Sequence, residues 1–355
     1  MVEDARLGDA RAVGDSLGGE PDHTNFGEQG RRGSDHRLAH AGARSPPAAA
    51  LVTHPDRSTC CLQVPIILSF TESALHKWEL IMRVLVFGAT GSVGGELVRQ
   101  LEHDDVAVRA ISRKPADAQV PDGVEVVFGD VDQPESIRAA AEGVDGAFVM
   151  TAGEDSAALR ALAGAGVRRV AYMSALTVQT RPGYLIGASH EAAERNLVNL
   201  LPEPIILRPG QFASNTAMWR PMVATGTIRA PFPDVATPMI DPYDIAAVVR
   251  VVLLDPGRQH VGAAYPLTGP ELISARRRVE VLAQVLGRDL RLVEIDQATA
   301  QAQMRLPEAL AEAALELFGR PNAQETEVLT TVEDLLGRPA HTFGDWAERN
   351  KHLFL

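Results

Sequence analysis

Cysteine is nearly absent from this sequence, and the two that it has are adjacent, at Cys60 and Cys61. Neighbouring cysteines rarely form a disulfide with each other, and a single pair does not have the spacing of a metal site. No cysteine follows residue 61, which is the usage expected in a reducing compartment. We therefore expect a cytoplasmic protein without a bound metal.

The sequence also lacks long apolar runs and an excess of positive charge. The apolar stretch at 64–70 contains Pro65 and is far shorter than the roughly 20 residues that span a bilayer. The formal net charge of −12 argues against a nucleic-acid surface, which normally carries a basic patch. We therefore expect neither a membrane nor a nucleic acid as a direct partner.

Residues 1–81 differ in composition from the rest of the chain. Up to Pro47 they are rich in Gly, Asp, Arg, His and Ser, with isolated apolar residues and no sustained period. Such a segment cannot bury enough apolar surface to offset the entropy lost on ordering, so we expect a disordered leader. Because Met82 directly precedes the first predicted strand, we hypothesise that the native chain begins there. Peptides from 20–44 in mass spectra of the endogenous protein would contradict this hypothesis.

The chain is organised around the stretch 83–95, which is R-V-L-V-F-G-A-T-G-S-V-G-G. The unbroken apolar run is typical of a strand covered on both faces of a parallel sheet, and good helix formers follow the glycines. A strand, glycine turn and helix place free N–H groups and the positive end of the helix dipole against an anion, such as a pyrophosphate. A tight turn without a ligand is the alternative. The predicted cofactor contacts of this turn are Gly88, Thr90, Gly91, Ser92, Val93 and Gly94.

Predicted strands and helices alternate after Met82, which indicates an α/β fold with a doubly wound parallel sheet. We expect residues 82–208 to form the nucleotide-binding core and residues 209–355 to form a small α+β substrate lobe. Ligands of such sheets bind beyond the carboxyl ends of the strands. The residues that follow the predicted strands are therefore the candidates for contacts with a cofactor.

Two basic residues, Arg113 and Lys114, follow the second predicted strand. An acidic residue at this position would bind a ribose 2′-hydroxyl and prefer NAD. A guanidinium instead suits the 2′-phosphate of NADP, because it forms two charge-assisted bonds to that group. We therefore expect NADP(H) to be preferred over NAD(H), although solvated loop charges are the alternative.

Candidate contacts also follow the next three strands. Asp130 and Val131 come after the third strand, where the carboxylate either accepts from an adenine amino group or caps a turn. Thr151 and Ala152 follow the fourth strand, where small residues leave room for ribose and nicotinamide. Ser174 ends the fifth strand, and its hydroxyl either bonds a substrate carbonyl or caps the chain.

Several motifs together resemble a known family. They are G-A-T-G at 88–91, H-E-A-A-E at 190–194 and L-R-P-G-Q-F at 207–212. From residue 82 onward the sequence is similar to the NmrA-like branch of the atypical short-chain dehydrogenase/reductases. The resemblance implies a Rossmann domain that binds NADP(H) or NAD(H), with a small C-terminal lobe over the nicotinamide.

The sequence departs from active short-chain reductases at the catalytic pair. Those enzymes use Tyr-x-x-x-Lys, in which lysine lowers the pKa of the tyrosine that passes a proton to the substrate. Here His190 takes the lysine position and Ile186 the tyrosine position. The catalytic candidates are therefore His190, Tyr184 in the preceding loop, and Ser174. His190 either bonds ribose or substrate or only packs, and Tyr184 either donates a proton or belongs to the loop packing.

Beyond the sixth strand, Phe212, Asn215 and Trp219 are candidates for contacts with a small-molecule substrate, or belong to the core of the second lobe. We expect an NAD(P)H-dependent oxidoreductase that transfers hydride to a quinone-like or carbonyl acceptor. Reduced quinones bear charge easily, so they need no strong acid. The alternative is a catalytically silent NAD(P) sensor that acts through a protein partner. A sugar-nucleotide epimerase is disfavoured, because that chemistry usually needs the tyrosine.

Overall fold

A computed structural model describes residues 81–150 and 156–355. The described strands are, in chain order, β1 (Met82–Val86), β2 (Val106–Ser112), β3 (Glu125–Phe128), β4 (Gly146–Val149), β5 (Arg169–Met173), β6 (Glu203–Pro209), β7 (Thr227–Ala230), β8 (Ala236–Thr237), β9 (Ala264–Leu267), β10 (Ile273–Ser274) and β11 (Arg291–Glu294). The described α-helices are α1 (Ser92–Leu101), α2 (Pro134–Ala140), α3 (Ser156–Gly164), α4 (Thr177–Thr180), α5 (Ala188–Leu200), α6 (Arg220–Ala224), α7 (Pro242–Leu254), α8 (Ala275–Leu286), α9 (Gln297–Gln303), α10 (Glu308–Gly319), α11 (Thr331–Leu336) and α12 (Phe343–Arg349). The predictions about the leader and the two cysteines concern residues outside the described ranges.

The main sheet has seven strands in the order β3-β2-β1-β4-β5-β6-β9. All of its neighbouring strands pair in parallel. The chain therefore runs outward in one direction from β1 to β3 and returns to build the other half from β4. This arrangement confirms the predicted doubly wound sheet and brings the carboxyl ends of all seven strands to one edge.

Helices cover both faces of the sheet, as the apolar run of β1 predicts. Val84 and Val86 are buried against one core, which includes residues of α1 and α7. Leu85 and Phe87 alternate with them and are buried in a second core with residues of α2, α3 and α5. Successive side chains of a strand point to opposite faces, so a strand buried on both sides must be apolar at every position.

A smaller α+β lobe follows β6. It contains the parallel pair β7–β11 and the antiparallel pair β8–β10. Its core is a third apolar cluster that includes Trp219, Phe343 and Trp346. The α+β character of this lobe agrees with the sequence prediction, whereas the boundary between 208 and 209 stays a prediction.

The helix predicted over 299–318 is divided in two. The sequence pattern predicts that it is bent or broken around Pro307, and the chain breaks there into two helices, α9 and α10. Pro307 is the residue before α10, with an extended ψ of 143°. Proline lacks an N–H and clashes with the preceding turn, so a helix ends before it and a new one starts after it. None of the helices in the described ranges has both the length and the apolarity that crossing a membrane requires.

Candidate functional site

The glycine turn between β1 and α1 has the shape of a phosphate cradle. Gly88 has φ of 63°, a left-handed conformation that glycine adopts without a Cβ clash. Its carbonyl accepts a hydrogen bond from the Gly91 N–H at 2.8 Å. The N-cap residue of α1 is Gly91, which has no side chain to accept a hydrogen bond. The N–H groups of the first helical turn are therefore not capped by this residue.

Close approach of backbone to backbone also requires glycine at Gly94 and leaves little room for a side chain at Gly91. A Cβ on Gly94 would lie 2.3 Å from the Gly88 carbonyl oxygen, and one on Gly91 would lie 3.2 Å from the same atom. Thr90 and Ser92 are exposed at the rim, and Val93 is buried beneath it. The cradle therefore fits the diphosphate of a dinucleotide, whose negative charge the helix N-terminus stabilises.

The basic pair lies at the same edge of the sheet, after β2. Arg113 and Lys114 are both exposed, and neither has an ion-pair partner among the described residues. The Lys114 N–H bonds the Ser112 hydroxyl at 3.0 Å. Two uncompensated cations at the end of β2 fit the 2′-phosphate of NADP, and the structure leaves this role as a prediction.

Asp130 and Val131 follow β3. The Asp130 carboxylate accepts from the Asp132 N–H at 3.1 Å, and its own N–H bonds the Ser136 hydroxyl at 2.9 Å. Asp130 thus has the turn-capping role that the sequence left open, and a bond to adenine stays a prediction. Val131 is 39% exposed. Thr151 and Ala152, predicted beside the nicotinamide, lie outside the described residues.

A cavity of about 430 Å³ opens beyond the ends of β5 and β6. It is lined mainly by apolar side chains from the end of β5 and the segment after it, from the turn after β6 and from residues 308–325, a stretch that we call the wall segment. Ser174, His190, Phe212 and Asn215 are among the lining residues. The Thr177 hydroxyl also belongs to the lining and has no hydrogen-bond partner among the described residues. Four predicted site residues therefore meet in one cavity, at the edge that carries the glycine turn.

Ser174 is tied to a buried ion pair. Its hydroxyl donates to Glu194 Oε1 at 2.5 Å. Arg208 donates to both oxygens of the same carboxylate, at 2.9 and 2.6 Å, and this bond raises the pKa of the arginine. Because the Ser174 proton is committed to Glu194, the hydroxyl presents lone pairs to a ligand and acts as an acceptor.

His190 lies on the first turn of α5 and contacts the buried Tyr172, whose hydroxyl lies 3.1 Å from His190 Nδ1. Burial lowers the pKa of His190, and the nearby Glu194 offsets this only in part. The imidazole is therefore neutral near pH 7. A neutral imidazole accepts at one nitrogen and donates at the other, so His190 can donate one hydrogen bond but is not a strong acid.

Tyr184 contacts the wall segment. Its hydroxyl donates to the Ala313 carbonyl and lies equally close to Glu316, with both distances at 2.9 Å. Burial and the bond to Glu316 raise the pKa of the phenol, which weakens it as an acid. Tyr184 is not among the residues that line the cavity, so the structure favours the packing role that the sequence left open.

A second anchor of the wall segment is Glu325, which is 7% exposed and lines the cavity. Arg181 donates to both of its oxygens, at 2.7 and 2.9 Å, and the Thr180 hydroxyl donates at 3.0 Å. Burial alone would raise the pKa of Glu325, but the bonds from Arg181, Thr180 and the Asn322 N–H outweigh it and lower the pKa. The carboxylate is therefore charged.

Trp219, predicted to contact substrate, is 8% exposed and lies in the core of the second lobe. The Arg278 guanidinium lies 4.5 Å from the centre of its ring, and burial lowers the pKa of that arginine to about 10. Trp219 does not belong to the cavity lining. It supports the 3₁₀ helix Ala213–Trp219, which carries Asn215 into the cavity.

The sequence interpretation missed the residues that surround these groups. Glu194 belongs to the motif at 190–194 and Arg208 to the motif at 207–212, and the position of Arg208 near the end of β6 was an available signal. No sequence signal pointed to the pairing of Glu325 with Arg181, because the two residues are 144 positions apart. Within 81–150 and 156–355, no three His, Cys, Asp or Glu side chains are arranged to hold a metal ion.

Comparison with known proteins agrees with this architecture. The model of the NmrA-like family matches residues 82–333. A Streptomyces griseus relative, (4-alkanoyl-5-oxo-2,5-dihydrofuran-3-yl)methyl phosphate reductase, is 34% identical over 281 residues, which cover 76% of this chain and 99% of the relative. The NAD(P)H azoreductase of Xenophilus azovorans is 31% identical over 284 residues, with 76% and 99% covered.

Among solved structures, the NADPH-dependent quinone oxidoreductase of Escherichia coli complexed with NADPH superposes with a TM-score of 0.63. The match is 24% identical and covers 77% of this chain and all of the other. At this identity the likeness is evidence for a shared fold.

Proposed function

The chain belongs to the NmrA-like family, and on that premise we propose that it is an NAD(P)H-dependent oxidoreductase that reduces a quinone-like or carbonyl small molecule. The observation that carries the proposal is the cavity at the ends of β5 and β6, which opens on the sheet edge that bears the glycine cradle. Two relatives at least 30% identical over almost their whole length are named reductases. The cavity is large enough for a small organic acceptor.

The glycine turn and the basic pair are the proposed cofactor contacts. Gly88, Gly91 and Gly94 would admit the diphosphate, and Arg113 with Lys114 would bind the 2′-phosphate, which favours NADP(H) over NAD(H). The bound dinucleotide supplies the hydride. Residues 82–208 would hold it, and residues 209–355 would contribute the rest of the substrate site. The cavity supports this division, because residues from both ranges line it.

The side chains around the cavity suit an acceptor that does not need a strong acid. The Ser174 hydroxyl donates to Glu194 and so would accept from a ligand, whereas neutral His190 would donate to the acceptor oxygen. With Ile186 at the tyrosine position, no phenol replaces the usual acid. Electron-poor acceptors tolerate this arrangement, because the oxygens of a quinone carry developing negative charge without full protonation.

Two measurements test the proposal. We expect fluorescence titration to give a lower Kd for NADPH than for NADH, and NADPH oxidation to follow addition of quinones. Arg113→Ala should raise the Kd for NADPH by roughly tenfold, because a charge-assisted pair is lost. The Kd for NADH should stay nearly unchanged. An equal effect on both cofactors would refute the contact with the 2′-phosphate.

A catalytically silent NAD(P) sensor is the second candidate. The observation that favours it is the commitment of the Tyr184 hydroxyl to the wall segment, since this leaves the cavity without a phenolic acid. Tight NADPH binding with no oxidation of any quinone or carbonyl acceptor would support the sensor over the enzyme.

A further inference from the structure

No lysine or arginine belongs to the lining of the cavity as far as the chain is described. The one histidine of the described lining, His190, is kept neutral by burial. Apolar walls such as Leu317 and Phe318 strip water from a ligand without replacing its hydrogen bonds. An anion that enters such a space loses hydration and gains no cation in return.

Among the described residues that line the cavity, the single charged side chain is an acid. Glu325 presents its carboxylate at the wall and is held there by Arg181, Thr180 and the Asn322 N–H. Arg181 is not among the lining residues, and its donors already serve Glu325 and the Arg320 carbonyl. The cation that pairs with Glu325 is thus bound to the carboxylate and does not line the cavity.

We propose that this cavity selects uncharged acceptors and rejects anionic ones, and that Glu325 is the specificity-determining residue. The inference rests on the proposed function and narrows its substrate class. Glu325 excludes anions in two ways: its charge repels them, and it occupies the guanidinium of Arg181, which would otherwise attract them.

A matched pair of acceptors tests the proposal on the wild-type chain. We would measure kcat/KM with NADPH for an ortho-naphthoquinone and for its ring-sulfonated derivative, and Kd for both by calorimetry in the presence of NADP⁺. The sulfonate makes the ring a better hydride acceptor, so intrinsic reactivity works against the expected result. We expect kcat/KM to be at least about tenfold lower for the sulfonated quinone, and its Kd correspondingly weaker.

Two variants isolate the role of Glu325. In Glu325→Gln the charge is lost and Arg181 is released, so we expect the preference for the neutral quinone to fall about fivefold or more. Glu316→Gln is the matched control, because Glu316 also pairs with Arg181, at 3.5 Å, but does not line the cavity. The preference of the Glu316→Gln variant for the neutral quinone should equal that of the wild type. If Glu325→Gln fails to fold, the matched pair of quinones on the wild-type chain still tests whether the cavity rejects anions.

The outcomes separate the inference from the proposed function. Equal kcat/KM for both quinones would overturn the inference and leave the oxidoreductase intact. An unchanged preference in a folded Glu325→Gln variant would remove Glu325 as the determinant. If neither these two nor any other quinone or carbonyl acceptor is reduced, the proposed function fails, and the two Kd values then decide the inference: weaker sulfonate binding supports it, and equal binding overturns it.

Discussion

Substitution of Gly94 by alanine tests the glycine cradle directly. The new Cβ would lie 2.3 Å from the carbonyl oxygen of Gly88, 2.6 Å from its carbonyl carbon and 2.8 Å from the carbonyl oxygen of Phe87. All three are backbone atoms, so no rotamer change relieves the overlap. Either α1 moves away from the turn or the turn changes shape.

The expected magnitude follows from two opposing effects. Alanine is favoured over glycine inside a helix by about 1 kcal/mol. Overpacking costs about 1–3 kcal/mol, and occasionally more, and contact with rigid backbone puts Gly94→Ala at or above the upper end. We therefore expect the free energy of unfolding to fall by about 2 kcal/mol or more, and the Kd for NADPH to rise by at least about tenfold, or 1.4 kcal/mol.

Urea unfolding followed by circular dichroism measures the first quantity, and fluorescence titration of the folded variant measures the second. Gly164→Ala is the matched control, since Gly164 also lies in a helix, α3, but a Cβ added there would meet no heavy atom within 4 Å. It should leave the Kd unchanged and alter stability by less than about 1 kcal/mol. A Gly94→Ala protein with wild-type stability and wild-type affinity would refute the close approach of α1 to the turn.

The remaining predictions concern titratable groups. Tyr184→Phe removes the bonds to Ala313 and Glu316, so it should cost about 1 kcal/mol of stability with kcat nearly unchanged; a loss of kcat of about 100-fold or more, as for a general acid, would contradict the packing role. The lowered pKa of Glu325 means that its stabilising effect is present above the ordinary value of 4.5 and is lost as pH falls through the lower folded-state pKa. The unfolding free energy of wild type should therefore fall more steeply in that acidic window than that of Glu325→Gln, and parallel curves would refute the assignment. Because burial lowers the pKa of His190 below 6.5, kcat/KM should show no inflection from His190 between neutral pH and 6.5; an inflection there that disappears in His190→Gln would count against a neutral imidazole.

The glycine turn illustrates what local pattern can predict. The apolar run before it, the glycines at intervals of three and the helix formers after it lie within 83–101, and each constrains the backbone of its own neighbourhood. The predicted strand and helix formed where expected, and the alternation of later elements was sufficient to predict the parallel sheet. The break at Pro307 is local as well, since a proline inside a helical pattern is enough to predict a bend or a break at that point.

Local sequence is enough to set the order of the strands and helices, the glycine cradle and the absence of a Tyr-x-x-x-Lys pair, because each depends on residues close together in the chain. Which side chains meet is established only by packing in three dimensions. Packing pairs Tyr184 with Ala313 across 129 positions and Arg181 with Glu325 across 144, and it turns the Ser174 hydroxyl into an acceptor through Glu194. No periodicity encodes such contacts, because they depend on how whole segments pack, and burial then sets the charge of the groups that packing brings together.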